Sequence, residues 1–280
     1  MFNFLRKKVG IIGCGNMGGA IAEGIKNKYA VCVFDKDKNK INALKNITVV
    51  SNPVELAKQC EIIILAVKPQ DFDRLLNEIK DFVRHKLIIS IAAGITTGYI
   101  EKILGQVKVI RVMPNIAVKI AKGETGICKG SYAKEEDLLL AEKIFNIVGK
   151  VWKLSEDDID SVTAISGSGP AYIFYDMEIK NIDPLKVPIE LEDEYIRKLT
   201  DAAIAVGFNP KIALDFAACT TASSISLLAQ GGGSPAQLRK MITSPGGTTE
   251  AALKVITNGG SWSEAALAAK RRAQELSKKE

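Results

Sequence analysis

The sequence predicts an α/β fold, an N-terminal doubly wound parallel sheet followed by an all-helical C-terminal domain, and two observations predict it. Through about residue 155, short β-rich runs alternate with helical patterns, as in a parallel sheet covered by helices on both faces. After Ser155 the strand pattern stops and only helical periods remain. The expected domains are residues 1–157 and 158–280, and 280 residues with 47% hydrophobic content suffice for two cores.

The first strand, KVGIIG, ends at Ile12 and runs into Gly13, Gly15 and Gly18, a G-x-G-x-x-G loop that opens the helix from Met17 to Lys26. Gly13 permits the tight turn, Gly15 lets a pyrophosphate come against the backbone, and Gly18 lets helix and strand pack closely. The second strand, AVCVFD, ends on Asp35, placed to accept adenosine ribose hydroxyls. Together these spell a Rossmann unit that binds a dinucleotide. Asp35 leans the site toward NADH, because a carboxylate there repels the 2′-phosphate of NADPH. Lys36, Lys38 and Lys40 offer that phosphate a counter-charge, so either form of NAD(P)H stays open.

ITVV, a helix over Pro53–Gln59, the strand EIIILAV and a helix over Phe72–Val83 come next. The strands LIISIA, KVIRVMPN, GETGICKG and GKVWKLS complete the front half. Ligands of open α/β sheets sit outside the carboxyl ends of strands, which is where LAVKPQ, SIAAGI and RVMPN lie. Arg111, taken alone, reads as an ordinary strand-end residue. The expected cofactor-binding set is Ile12, Gly13, Cys14, Gly15, Asn16, Met17, Gly18, Asp35, Lys36, Asn52, Ala66, Val67, Lys68 and Pro69.

In the back half, residues 156–179 read as one long helix with Ser166, Gly167, Ser168, Gly169 and Pro170 in its interior. Glycine and proline there cost about 1 and 3 kcal/mol, so a kink, a close helix crossing or a ligand approach must offset them. Residues 192–208, 210–230 and 247–258 form further helices rich in Ala, Ser and Thr. Such small, apolar faces pack tightly, and a domain this small would bury them at a subunit interface. SPGGTT, Ser244 to Thr249, runs straight into the last of these helices. Its glycines and the free amides of a helix start make a second anion cradle.

The net charge of +6 is spread along the chain, which suits a surface that gathers small anions and excludes a nucleic-acid groove. The end AKRRAQELSKKE reads as the solvated face of a last helix and its tail. Cys14, Cys32, Cys60, Cys128 and Cys219 are odd in number and far apart, which argues against a disulfide framework or a metal site and for free thiols in a reducing cytosol. The opening residues lack a signal peptide, no segment is expected to approach a membrane span, and the expected location is cytoplasmic. The single histidine, His85, reads as a surface residue.

With the glycine loop, VKP, MPN, SGSGPAY and SPGGTT in one order, the chain resembles the pyrroline-5-carboxylate reductases from about residue 8 to residue 276. The resemblance implies reduction of the cyclic imine of Δ1-pyrroline-5-carboxylate to L-proline by NAD(P)H, the last step of proline biosynthesis. It implies a Rossmann domain followed by an all-α dimerisation domain that interlocks a homodimer, with higher oligomers built from such dimers. The first loop would hold the cofactor pyrophosphate. The hydroxyl of Ser244 and the amides of Gly246, Gly247 and Thr248 would hold the imino acid carboxylate. Thr249 matches the family position whose hydroxyl bonds the ring nitrogen, and is the expected catalytic residue.

The chain departs from that family in three places. About twenty extra residues lie between Tyr172 and Gly207, where KNIDPLKVPIELEDEY reads as a helix-breaking excursion. Cys219 stands where the family has Gln before Thr220, and glycines occupy the stretch near Gly232 where many members carry a Glu. Rival readings are a reductase of a related cyclic imine, a β-hydroxyacid dehydrogenase, and a non-catalytic nucleotide-binding relative. The dehydrogenase would need a catalytic lysine where AISGSGPAY offers none. The non-catalytic relative sits poorly with two intact loops and Thr249.

Overall fold

The computed structural model describes residues 7–42 and 44–277. Its strands are β1 (Lys8–Ile12), β2 (Ala30–Phe34), β3 (Thr48–Val49), β4 (Ile62–Leu65), β5 (Leu87–Ser90), β6 (Lys108–Met113), β7 (Gly123–Lys129) and β8 (Gly149–Lys153). They join one sheet in the order β3-β2-β1-β4-β5-β6-β7-β8. β1 pairs in parallel with both β2 and β4, so Gly10 faces Cys32 on one side and Ile63 on the other. Strand order reverses at β1. The carboxyl ends of β1 and β4 therefore flank a topological switch point, where a crevice opens in folds of this class.

Helices α1 (Asn16–Ile25), α2 (Pro53–Gln59), α3 (Phe72–Ile79), α4 (Thr97–Leu104) and α5 (Glu135–Phe145) connect the strands. β4 and β5 are buried along their whole length, which is why they read as unbroken apolar runs rather than alternating ones. Leu56, Leu76 and Ile79 from α2 and α3 pack with Ile63, Leu65, Ile88 and Val109 in one core. Asn52 caps α2 by accepting from the Glu55 amide, with Pro53 at the first helical position. The front half is a Rossmann-like doubly wound sheet.

The chain divides into two compact units. One is the chain up to Val112 together with Ile127–Glu156; the other is Met113–Gly126 with the chain from Asp157 onward. Residues 113–126, expected with the front half, thus cluster with the helices instead. Asn115 explains how this excursion holds its shape: its Oδ1 accepts from the amides of Ala117 (3.2 Å) and Glu124 (3.0 Å), closing the loop on itself.

The long helix expected over 156–179 is instead α6 (Glu156–Val162), a π-helical turn (Thr163–Gly167) and α7 (Gly169–Ile179). The Ser168 amide reaches back five residues to the Thr163 carbonyl at 2.9 Å, and Pro170 has no amide to carry a regular ladder. α8 (Ile189–Ala205), α9 (Pro210–Ala229), α10 (Pro235–Ile242), α11 (Thr248–Thr257) and α12 (Trp262–Ser277) follow. A Cβ at Gly169 would stand 3.1 Å from Leu199 and 3.5 Å from Thr220, so this glycine lets α8 and α9 come close. A wide π-helical turn and a close crossing are both present. Tyr172 and Tyr195 pack on Trp262, with ring centroids 5.8 and 5.6 Å away, and form the aromatic centre of this unit.

The acidic, proline-bearing stretch does break the helix. α7 stops at Ile179, Asn181 has a φ of 51°, and α8 begins after Pro188. One expectation needs correction: α9 is long and apolar enough to cross a membrane by length and composition, though half of that stretch is buried inside the fold. Its apolar character comes from alanines and leucines packed among neighbouring helices, and the same residues defeat a test based on hydropathy alone. All five cysteines are free thiols, and His85 is exposed.

Candidate active site

Three glycines of the first loop are required for three different reasons. Gly13 has a φ of 100°, and a Cβ there would lie 2.5 Å from the Ala66 carbonyl oxygen. A Cβ on Gly18 would collide with the Gly13 carbonyl oxygen, so this residue sets how closely α1 packs on β1. A Cβ on Gly15 would meet nothing within 4 Å. That open space faces the end of the sheet, and it is the room a ligand needs to reach the backbone.

Beside the loop lies a cleft of about 720 Å³. Ile12, Gly13, Gly15, Asp35, Lys36, Asn52, Ala66, Val67 and Lys68 line it, which brings together most of the residues named from sequence. Cys14, Asn16, Met17, Gly18 and Pro69 are not on its wall. Asn16, Met17 and Gly18 form the first turn of α1 behind the loop, and Pro69 opens a short 3-10 turn (Pro69–Asp71). Cys14 acts through its backbone. Its thiol is buried and pushed up to about 12, by desolvation first and then by the Asp35 charge, so it stays a protonated thiol. The wall also carries Lys40, expected as a counter-charge for a 2′-phosphate and set on a short 3-10 turn (Lys38–Lys40), and Asp71 and Arg74, which no motif announced; Arg74 lies on α3 with no fixed spacing from the glycine loop.

Asp35 does more than the sequence suggests. Only 8% exposed, it accepts from the Cys14 amide through Oδ2 (2.7 Å) and from the Asp37 amide through Oδ1 (2.8 Å). It therefore staples the end of β2 to the glycine loop. Lys40 stands 3.7 Å from the same carboxylate, and Lys36 pairs with Asp71 at 3.2 Å. The negative charge of Asp35 is thus partly offset in place, which weakens its repulsion of a 2′-phosphate.

In the helical unit the two most specific motifs meet. Thr248 and Thr249 occupy the first turn of α11, both buried. The fully buried Ser168, at the end of the π-helical turn, places its Oγ 3.1 Å from Thr249 Oγ1 and 3.3 Å from Thr248 Oγ1. Ser168 escaped the sequence reading as a functional residue. The available signals were the cluster of helix-breaking residues around it and its place in SGSGPAY.

The SPGG loop is not the free amide cradle expected. The Gly246 amide donates to Glu250 Oε2 (3.0 Å) and the Gly247 amide to the Ser244 carbonyl (3.0 Å). The Gly246 carbonyl accepts from Arg272 Nε at 2.8 Å. The reason is local: an acid in the first turn of a helix folds back onto the orphan amides of its own start. A ligand carboxylate reaches the Gly246 amide only by displacing Glu250. Ser244 and Gly246 are exposed, whereas Thr248 and Thr249 are not.

A second polar knot lies deeper in this unit. Thr220 Oγ1 donates to the carboxylate of the buried Glu124, and Ser166 Oγ donates to the Glu124 carbonyl at 3.1 Å. It ties the 113–126 excursion to α9 and the π-helical turn. Gly232 sits exposed in the turn between α9 and α10, and Cys219 is partly exposed on α9. Among the described residues, no group of three or more His, Cys, Asp or Glu side chains could hold a metal ion.

Two family models match the sequence: NADP oxidoreductase, coenzyme F420-dependent, over residues 8–94, and pyrroline-5-carboxylate reductase dimerisation over residues 194–276. The pyrroline-5-carboxylate reductase of Methanosarcina acetivorans is 34% identical over 249 residues, 85% of each chain. That of Arabidopsis thaliana is 31% identical over 85% of this chain and 83% of its own. The solved pyrroline-5-carboxylate reductase of Coxiella burnetii has a TM-score of 0.65 at 33% identity, covering 97% of this chain and 99% of its own. A pyrroline carboxylate reductase of Plasmodium falciparum, solved with NADP bound, gives 0.64 at 28% identity, over 98% and 99%.

Proposed function

The chain belongs to the pyrroline-5-carboxylate reductase family, and from that premise we propose how its residues reduce Δ1-pyrroline-5-carboxylate to L-proline, the last step of proline biosynthesis. NAD(P)H supplies the hydride that adds to the imine carbon. The cleft beside Gly15 suits a dinucleotide: its backbone is approachable, a helix start faces it, and lysines and Arg74 offset the phosphate charge. Gly13, Gly15 and the α1 start hold the pyrophosphate, while Asp35 and Lys40 face the adenosine ribose.

The substrate is a small imino acid whose carboxylate takes the Gly246, Gly247 and Thr248 amides and the Ser244 hydroxyl, with Glu250 leaving the Gly246 amide and the Ser244 carbonyl releasing the Gly247 amide to admit it. Thr249 Oγ1 bonds the ring nitrogen. Protonation of that nitrogen makes the neighbouring carbon more electrophilic, so a residue that keeps the N–H oriented lowers the barrier to hydride addition. Most of the rate then comes from holding donor and acceptor in register. The observation that carries this assignment is the buried Thr249 hydroxyl, fixed by Ser168 at 3.1 Å at the foot of the SPGG loop.

The enzyme is a homo-oligomer that acts on a small molecule. Its dimer forms through the helical unit and assembles further, and it works in the cytoplasm. Five free thiols support a reducing compartment. The direct test is imine-dependent loss of nicotinamide absorbance, run separately with NADH and NADPH. Turnover is expected with both. Folded protein that binds cofactor but leaves it reduced would refute the assignment. Thr249→Ala is expected to lower kcat, and an unchanged kcat would remove that residue from the chemistry.

A further inference from the structure

We propose that Ser168 is a positioning residue that sets the direction of the Thr249 hydroxyl through a buried relay running from Thr249 to Ser168 to Thr248. The inference rests on the assignment of Thr249 to the ring nitrogen. Each of these hydroxyls has one proton to give and lone pairs to receive. The Ser168 Oγ lies within bonding distance of both threonine hydroxyls, at 3.1 and 3.3 Å, and is fully buried, so water does not compete for it. A protonated ring nitrogen presents N–H and needs a lone pair from Thr249. The proton of Thr249 must then point elsewhere, and Ser168 is the acceptor in place. Ser168 in turn passes its own proton toward Thr248 Oγ1. A ring atom that only accepts needs the opposite sense.

The backbone holds this relay in register from both sides. Ser168 closes the π-helical turn, its amide bonded to the Thr163 carbonyl at 2.9 Å. Thr248 and Thr249 are fixed by the first turn of α11 behind Gly247. A ring that donates therefore depends on Ser168, which takes the buried Thr249 proton, whereas a ring that accepts draws that proton to itself and needs Ser168 less. No proton leaves the three side chains; only their orientation is set.

The test compares two ring ligands of the same shape in the intact enzyme. L-Proline presents a ring N–H, whereas tetrahydrofuran-2-carboxylate presents a ring oxygen that only accepts. Their inhibition constants are measured in wild type, Ser168→Ala, Thr249→Val and the double variant. Ser168→Ala is expected to weaken proline about tenfold and the oxygen analogue less than about twofold, the loss of one oriented hydrogen bond. In the Thr249→Val background, Ser168→Ala should leave the ratio unchanged. Equal weakening of both ligands, or the same change in ratio with and without the Thr249 hydroxyl, overturns the proposal and leaves the Thr249 assignment standing. Wild-type turnover in Thr249→Val overturns that assignment and the relay with it. Should Ser168→Ala fail to fold, Thr248→Val removes the far end of the relay and is expected to shift the ratio about threefold in the same sense. An unchanged ratio there overturns the proposal.

Discussion

Gly15 and Gly18 lie three residues apart in one loop and answer to different constraints. A methyl at Gly18 would collide with backbone, which cannot move aside cheaply, so Gly18→Ala should cost about 1–3 kcal/mol in denaturant unfolding. Gly15 already has ordinary extended backbone, with a φ of −67°, and a methyl there meets no protein atom within 4 Å. Gly15→Ala should therefore change stability by less than about 0.5 kcal/mol while raising the KM for NAD(P)H about tenfold. Motif spacing identified both residues, but only the surroundings separate the packing role from the binding role. Asp35 is a similar case. Asp35→Asn removes the charge while an amide oxygen can still receive one of the two backbone N–H groups, so the kcat/KM ratio of NADPH to NADH should rise about fivefold. An unchanged ratio would mean that Lys40 already cancels its charge.

At the scale of elements, the π-helical turn shows why composition alone misreads a helix. Periodicity extends through 156–179, but the chain inserts one wide turn and places Ser168 at its end. Helix propensity registers the glycines and proline as a cost; it has no information about α8, α9 and α11, whose approach repays it. The aromatic group around Trp262 joins α7, α8 and α12. Trp262→Ala should destabilise the protein by about 3–5 kcal/mol, measured by chemical unfolding. Burial also pushes the phenols of Tyr172 and Tyr195 well above the ordinary value of 10.0, with the Tyr195 O–H donating to Asp176 Oδ2 at 2.8 Å. Their folded pKa lies above the unfolded one, so their stabilisation is complete below pH 10.0 and is lost as pH rises beyond it. Unfolding free energy should fall across that range, and Tyr195→Phe should remove part of the slope.

At the scale of the whole molecule, the chain is two units, and the crossing between them is less simple than one boundary. Residues 113–126, from the last residue of β6 into the first half of β7, cluster with the helices rather than with the rest of the sheet. Asn115 and Glu124 hold that excursion; the sequence shows them as the end of MPN and part of the GETGICKG strand, but not the bonds they make. The family's dimerisation region spans residues 194–276, and the exposed apolar residues Ile204 and Leu214 lie within it on α8 and α9. Light scattering on the purified enzyme should give an even multiple of the 30.2 kDa chain mass. A single-chain mass at assay concentration, with full activity, would contradict an obligate dimer.

By itself the sequence determined the alternation that builds the sheet, the glycine loop at its switch point, the all-helical second half and the two motifs to which the proposed chemistry is assigned. These are legible because each follows from local rules: strand period, turn geometry and helix starts act within a few residues. Only the tertiary structure decided which partners those residues take. Asp35 turns back to the Cys14 amide, Glu250 covers the Gly246 amide, and Ser168 reaches Thr249 from eighty-one positions away. Hydrogen bonds of that kind depend on where whole helices come to rest, and helix packing is set by the summed burial of many side chains, which no short stretch of sequence contains.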